Sequence, residues 1–580
     1  MGRIIGIDLG TTYSAVAYLE NGNPKVIEQR NGRKNMPSVV CINDDEILVG
    51  ENALKQDFTL NTIKRIKRKI GTDYRAEING KQYSPEEVSA YILKELKNRA
   101  EEFLGEEVRD AIITVPAYFN DNQRQATKDA GKIAGLNVIR IINEPTAASL
   151  SYGVNPEHDA NIIVYDLGGG TFDVSLVNVG DGIFEVIATA GDNRLGGEDF
   201  NRRIEEIIVN KFKDETGIDL TDDPLAMAKL SDAVEDAKIT LSSKKSVKIH
   251  IPFITADENG AHDINFEFTR DEFEKLISDY IERTIELCKQ AVDDARLEAK
   301  DIDRVILVGG SSRIPYIRGK IKGFFGKEPD YKINPEEVVA MGAAIQGGIV
   351  QGDVSGIVLV DVTPMSLGIE VENGYFVPII ERNNPIPTCA RRIFTTVADG
   401  QKSVDVHILQ GESMKCDNNI SLGKFRLEGI RKAMKGEPRI EVTFELDVNG
   451  ILNVTATDAD TQSVQGITIV NDSRIDEKEL ERLREEHLKS FDKDIKNRKR
   501  FNNILRLKTK AEYIAGKIEA VVPPAYRDEL IKEEISEILL RAQSALEELD
   551  IEKAESAVDA LEFIMKELKA GNYKGGERIA

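Results

Sequence analysis

Two short stretches of this chain copy one another. "IGIDLGTTYSAVAYL" (5–19) and "IVYDLGGGTFDVSLV" (163–177) share an apolar run, then Asp-Leu-Gly, then small residues. Asp166 follows Asp8 by the same interval at which Gly168 follows Gly10. Each copy reads as a strand, a tight glycine turn and a second strand, which is a β-hairpin. A duplicated unit of this kind predicts two similar half-domains facing each other across a cleft.

The turns suit phosphate. Glycine lets backbone N–H groups approach phosphate oxygens with no Cβ in the way. Thr11, Thr12 and Thr171 add hydroxyl donors. One glycine turn is weak evidence, because a plain hairpin explains it as well. Two matching copies, each opening on an aspartate at a strand end, point to a nucleotide. The sequence has no GxxxxGK[ST], which excludes a P-loop, and no GxGxxG after a strand, which disfavours a dinucleotide fold.

With 580 residues the chain is too long for one core and predicts two to four domains. Three regimes succeed one another. Up to about Gly352, short apolar strands such as "AIITVP" (111–116) and "RVILVGG" (304–310) alternate with helical patterns, as in an α/β layered fold. From Val362 to Val470 the period becomes two, in "VDVHIL" (404–409) and "RIEVTFELD" (439–447), which predicts an antiparallel β domain. From about Ile475 the pattern is helical. Asp476 with Glu479 resembles a capping box, and Pro523-Pro524 divides the region into two helical blocks. The boundaries read 1–352, 353–361, 362–470 and 471–580. In the second of these, Ile357–Val360 is an apolar run where a polar linker would be ordinary. Read alone it fits two descriptions equally: a buried strand of the following domain, or a linker that docks in one state and is released in another.

The net charge of −23 argues against broad binding to nucleic acid or anionic membrane. Cys41, Cys288, Cys389 and Cys416 lie far apart and predict buried free thiols rather than a zinc site or disulfides. The five histidines are equally scattered. The first residues carry no apolar run of signal-peptide type and nothing reaches membrane-spanning length, so a cytoplasmic protein is expected.

"IGIDLGTTYS", "VPAYFND" (115–121), "INEPTAA" (142–148), "YDLGGGTFDVS", "LGGEDF" (195–200), "ILVGGSSRIP" (306–315) and "DVTPMSLGIE" (361–370) occur in order. Together they resemble the DnaK-type, seventy-kilodalton heat-shock chaperones of bacteria, in the compact form seen in Gram-positive bacteria. The resemblance covers essentially the whole chain. It implies an α/β actin-like, ribonuclease-H-like ATPase domain, an antiparallel β-sandwich that binds peptide, and a C-terminal α-helical lid. It implies ATP or ADP, Mg²⁺ and K⁺ as cofactors.

Carried over residue by residue, the resemblance puts the phosphates between Gly10, Thr11 and Thr12 on one side and Gly168, Gly169, Gly170 and Thr171 on the other. Asp8 and Asp166 would hold Mg²⁺ largely through its waters, Asp8 with Asp173 would line potassium sites, and Glu144 would join this outer shell. The basic run "NTIKRIKRKIG" (61–71) would otherwise be a solvated face, with Lys64 and Lys69 as open as Lys67; the match to K-R-x-I-G assigns the catalytic lysine to Lys67. Thr171 also matches a site of autophosphorylation. Glu235, Lys238 and Ser242, with Gly309, Gly310, Ser312 and Arg313, would contact base and ribose.

Pro116 and Arg124 match an interdomain relay. Arg140, Asn143 and Asp361 match the contact region for a J-domain co-chaperone. Ile369, Val371, Phe394, Val397, Val404, Val406 and Ile451 match the peptide channel, although channel lining and ordinary core look alike in sequence. The expected partners are unfolded polypeptides, a DnaJ-type co-chaperone and a GrpE-type nucleotide exchange factor, on a monomer. Some residues depart from the family pattern. Asn201 stands where Asp is usual, Glu372 and Tyr375 replace apolar or small residues at the peptide arch, and "CARRIF" (389–394) is unusually basic. A sugar-type kinase or an actin-like filament protein would share the hairpins, but neither needs the β and helical regions after residue 352.

Overall fold

The computed structural model describes residues 2–468 except 45, 57–60, 154–159, 259 and 331. Beyond these it describes 482, 503–504, 506–508, 510–515, 517–518, 529–547 and 550–570. The chain divides into two compact units, Met1–Arg484 and Glu485–Ala580.

In the first unit the duplication is visible as two lobes. Strands β1 (Ile4–Asp8) and β2 (Tyr13–Glu20) form an antiparallel hairpin. Strand β3 (Asp110–Val115) pairs in parallel with β1, and β4 (Asn137–Asn143) in parallel with β3. Strand β3 reads as an unbroken apolar run because both its faces are covered, and its last five residues are all buried. Helix α1 (Asp121–Ile133) packs beside it, started by a reciprocal capping box between Asn120 and Gln123.

The second lobe repeats the plan. Strands β5 (Ala160–Leu167) and β6 (Phe172–Gly180) form the second hairpin, β7 (Ile183–Asp192) continues it, and β8 (Arg304–Val308) pairs in parallel with β5. Helices α2 (Glu144–Ser151) and α5 (Val338–Gln351) pack between the two sheets, sharing a core with Ile112, Val164 and Ile306. They approach so closely that a Cβ on Gly342 would lie 1.7 Å from the Ala147 carbonyl oxygen. Helices α3 (Gly197–Thr216) and α4 (Pro224–Leu241) cover the second lobe, and Asp223 caps α4 by accepting the N–H groups of Leu225 and Ala226.

The apolar run after residue 352 belongs to neither lobe's hairpin, yet it completes a sheet. Strand β9 (Val358–Val362) pairs in parallel with β7, Ile183 opposite Val358 and Glu185 opposite Val360. Its far end pairs with Pro385–Ile386 of the next region. The run is therefore a docked edge strand of the preceding sheet as well as an anchor for the β region after it.

Residues after β9 form two four-stranded antiparallel sheets. Leu367, Ile369, Val406 and Ile408 of one face Ile440, Val442, Phe444 and Leu446 of the other around one core. In Ile440–Leu446 every second residue is buried, which is the period-two pattern of a half-covered strand. The second unit contains helices Glu529–Glu547 and Ile551–Ala570, with Ile514, Ile518, Ile535, Ile538, Leu561 and Ile564 in its core. The expected capping box at Asp476 and break at Pro523 lie outside the described residues. No helix among the described residues is long and apolar enough to cross a membrane. One thiol corrects the sequence expectation: Cys41, Cys288 and Cys416 are buried, but Cys389 is exposed.

Candidate functional site

The two glycine turns meet in the cleft. Ser14 accepts the Gly10 N–H and Ser38 donates to the Gly10 carbonyl, which braces the first turn from below. A Cβ on Gly169 of the second turn would lie 2.2 Å from Thr12 Oγ1, so nothing larger than glycine fits there. Between the turns lies a cavity of about 530 Å³, within the usual range for a small-molecule site. Gly10, Thr11, Thr12, Gly168, Gly169 and Thr171 line one end. Glu235 and Lys238 of α4 and Ser242 just after it line the other, together with Gly309, Gly310 and Arg313.

Three expected residues do not line this cavity. Gly170 packs on Thr11 and Arg68 instead. Ser312 turns back to donate to the Gly309 carbonyl at 2.7 Å, and its neighbour Ser311 faces the cavity, donating to Gly168 O at 2.9 Å. Asp173 is buried outside the lining, its Oδ1 accepting the Tyr118 N–H at 2.9 Å. Other lining residues escaped the sequence reading. Arg33–Asn35 of the first lobe reach Asn334–Glu337 of the second, with Lys34 Nζ 2.8 Å from Glu337 and Asn35 donating to Glu336 at 3.2 Å. Ile239, an exposed apolar residue on α4, also faces the cavity and is the one local signal that could have been read.

Lys67 stands apart from its basic neighbours. It is 5 % exposed and its Nζ lies 2.5 Å from Glu144 Oε1. Lys64 pairs with Asp232 instead, and Lys69 is exposed over the Tyr74 ring. Around Lys67 sit four carboxylates: Glu144, Asp166 and Asp173, which are buried, and Asp8, which is half-buried. Burial, reinforced by the charge of Glu144, pushes Asp8 up to about 7. The same causes push Asp173 up to about 7, and Asp166 well above the ordinary carboxylate range. Burial works against the charge on Lys67, but Glu144 and Asp8 more than offset it and hold the ammonium above its usual value. One lysine thus faces four acids, a local deficit of positive charge.

A second polar cluster lies where β9 meets the first lobe. Arg124 donates to Asn143 Oδ1 at 2.7 Å and to the carbonyls of Ala117 and Phe119. Thr146 donates to Asp361 Oδ2 at 3.1 Å. Burial raises Asp361 despite these partners, and burial lowers both Arg124 and Arg140. The β region is stitched on here: Ile141 N–H donates to Asn449 Oδ1 at 3.1 Å and Leu452 N–H to Asp121 Oδ1 at 2.9 Å. Pro116 ends β3 next to this cluster, its carbonyl accepting the Phe119 N–H.

The two-sheet region carries a groove of about 720 Å³ with Ile369, Val371, Phe394, Val397, Val404 and Val406 among its lining residues. Glu370, Glu372, Asp405, Lys424 and Arg426, with His407, give it a polar lining. Ile451 is not part of it. It sits in the Asp447–Ile451 turn, where Asp447 accepts its N–H, on the side that meets Asp121 and Arg124.

The sequence matches the Hsp70 protein family over residues 4–78 and 74–579. The chain belongs to the Hsp70 family. Hsp70 proteins join an ATPase domain to a substrate-binding domain, bind ATP or ADP with Mg²⁺, and act as chaperones on unfolded clients together with co-chaperones.

The acidic end of this Hsp70 cavity fits such a cation. Among the described residues no three acidic, histidine or cysteine side chains converge closely enough to ligate an ion directly. Mg²⁺ keeps several waters and can meet carboxylates through them. Asp8, Asp166 and Glu144 would receive those waters, and the charge deficit around Lys67 is the one a divalent ion corrects. When bound, the ion neutralises phosphate charge. The backbone of the two turns would face the anion, and Lys67 would supply a fixed positive charge beside it.

Proposed function

We propose that this Hsp70 is an ATP-dependent chaperone of the DnaK type, whose affinity for extended hydrophobic peptide segments is switched by ATP binding and hydrolysis. The proposed division is an actin-like ATPase domain (1–352), a linker (353–361), a β-sandwich peptide domain (362–470) and a helical lid (471–580). Lys67 is the proposed catalytic group, with Glu144, Thr171 and Asp173 around it. Glu235, Lys238, Ser242 and Arg313 are assigned to the nucleoside, and Asp8 with Asp173 to potassium. Thr171 is the proposed site of autophosphorylation. Arg140, Asn143 and Asp361 are assigned to a DnaJ-type partner, and a GrpE-type factor to exchange. We assign the protein to the cytoplasm, as a monomer active in the stress response.

The observation that carries this reading is β9. A strand bonded into the nucleotide-binding sheet on one side and to Pro385–Ile386 on the other gives the cavity a physical route to the groove. Linkage then requires reciprocity: if ATP weakens peptide binding, peptide weakens ATP binding by the same factor. The test is the affinity of a fluorescent hydrophobic peptide with ATP and with ADP. Weaker binding with ATP is expected; equal affinities would overturn the proposal.

A further inference from the structure

Asn201 stands where Asp is usual in the family, and its surroundings call for an amide. It lies on α3 and is 1 % exposed. Its Nδ2 donates to Glu235 Oε2 of α4 at 2.6 Å and to Glu198 Oε2, one turn earlier on α3, at 3.4 Å. Both neighbours are carboxylates, and an ionised carboxylate only accepts. The amide must therefore turn its NH₂ toward them. Its oxygen is left behind: Oδ1 is buried and meets no donor among the described residues. A buried acceptor without a partner is costly, so the site retains Asn201 for its donors. An Asp here would set a third acid against two others, with no hydrogen to offer until it took up a proton.

The residue held in place is Glu235, which lines the cavity. Lys238 Nζ meets the same oxygen, Oε2, at 2.7 Å and also donates to Gly197 O at 3.1 Å. Two donors on Oε2 leave Oε1 to accept from the cavity. Burial works against the charge on Glu235, but Lys238 and Asn201 outweigh it and hold the carboxyl below its usual value. The two donors differ in kind. Lys238 shares α4 with Glu235 and has a long, flexible stem. Asn201 is short and belongs to α3, whose first turn is bonded to the second glycine turn: Gly197 N–H donates to Gly168 O at 3.0 Å and Glu198 N–H to Gly169 O at 2.8 Å. Asn201 thus fixes Glu235 relative to the phosphate end of the cavity.

We propose that Asn201 is a positioning residue: by holding Glu235 Oε2 it aims Oε1 at the sugar of a bound nucleotide, and so sets the preference of the cavity for a 2′,3′-diol. The proposal rests on the nucleotide reading of the cavity. A carboxylate oxygen recognises donors, and on a nucleotide sugar the donors are the two ribose hydroxyls. A Glu235 side chain released by Asn201 has rotamers to lose before it can meet them, and that ordering is subtracted from the affinity. A sugar without hydroxyls makes no use of Glu235, so its binding does not depend on Asn201.

The experiment is calorimetry of the full chain with Mg²⁺ and either ADP or 2′,3′-dideoxy-ADP. The wild type is expected to bind ADP about tenfold or more tightly than the dideoxy form. In Asn201→Leu that preference should shrink to about threefold or less, through weaker binding of ADP alone, with the dideoxy form bound as in the wild type. Glu235→Ala should lose the preference too, and adding Asn201→Leu to it should change the ratio no further, because both act on one contact. If Asn201→Leu fails to fold, Asn201→Asp keeps the shape, removes the donor and should shrink the preference in the same way. Equal weakening of both nucleotides in the folded variants would show a structural role and overturn the proposal, as would an undiminished preference. A wild type that binds both nucleotides equally would overturn the role of Asn201 and leave the nucleotide reading standing. A wild type that binds neither would overturn both.

Discussion

Lys67 Nζ and Glu144 Oε1 lie 2.5 Å apart in a pair almost sealed from solvent, with side chains 6 % and 9 % exposed. Breaking a buried pair from one side leaves the other charge stranded, at a cost of about 3–5 kcal/mol. Lys67→Ala should therefore lower both activity and the stability of the free protein. Turnover should fall about 100-fold or more, while ATP still binds. Adding Glu144→Gln to Lys67→Ala should restore the melting temperature but not turnover. Full turnover in Lys67→Ala would sink the assignment of that lysine.

The raised carboxylates give a pH signature. Burial, reinforced by the charge of Glu144, pushes Asp8 and Asp173 up to about 7 in the folded protein, against an ordinary 3.8. A raised value means that the fold holds protons which the unfolded chain has released. The contribution of these groups to stability therefore declines as pH rises from the ordinary value to about 7, and the penalty is complete above it. A bound cation needs the ionised forms, so binding must expel protons. Calorimetry of Mg²⁺-ADP binding in buffers of different ionisation enthalpy should detect proton release at about pH 6 and almost none at about pH 9. Equal proton release at both would show that these acids are not coupled to the cation.

The hairpins were legible because their signal is local: aspartate at a strand end and glycine in a turn are read within a few residues. The two-sheet region was legible for the same reason, through its period of two. The rim formed by Lys34 with Glu337 and Asn35 with Glu336 was not, because those partners are brought together only by closure of the lobes. Side-chain direction was equally hidden. Nothing local tells that Ser311 rather than Ser312 faces the cavity, or that Asp173 turns to Tyr118. The seating of β9 against β7 is an edge pairing between distant strands, and an apolar run alone does not name its partner sheet.

That pairing has a weak point at Gly182. Its φ is +79°, and a Cβ there would lie 2.1 Å from the Gly356 carbonyl oxygen, just ahead of β9. The Val358 N–H also donates to Gly182 O at 2.9 Å. Gly182→Val should push the linker off the sheet. Peptide affinity with ADP should stay at the wild-type value, and the loss of affinity caused by ATP should largely disappear. An undiminished response to ATP in this variant would show that β9 does not carry the coupling.

Groove and turn residues should separate cleanly. Phe394 is only partly covered and lines the groove. Withdrawing a side chain of that size from a buried contact costs about 1.5–3 kcal/mol, so Phe394→Ala should weaken peptide binding about tenfold or more, read by anisotropy with ADP. Ile451 lies instead in the Asp447–Ile451 turn, beside the contact between Leu452 N–H and Asp121. Ile451→Ala should leave peptide affinity with ADP unchanged and reduce the response to ATP, because it loosens the docked turn rather than the groove. If Ile451→Ala weakens peptide binding as much as Phe394→Ala, the groove extends further than its lining indicates.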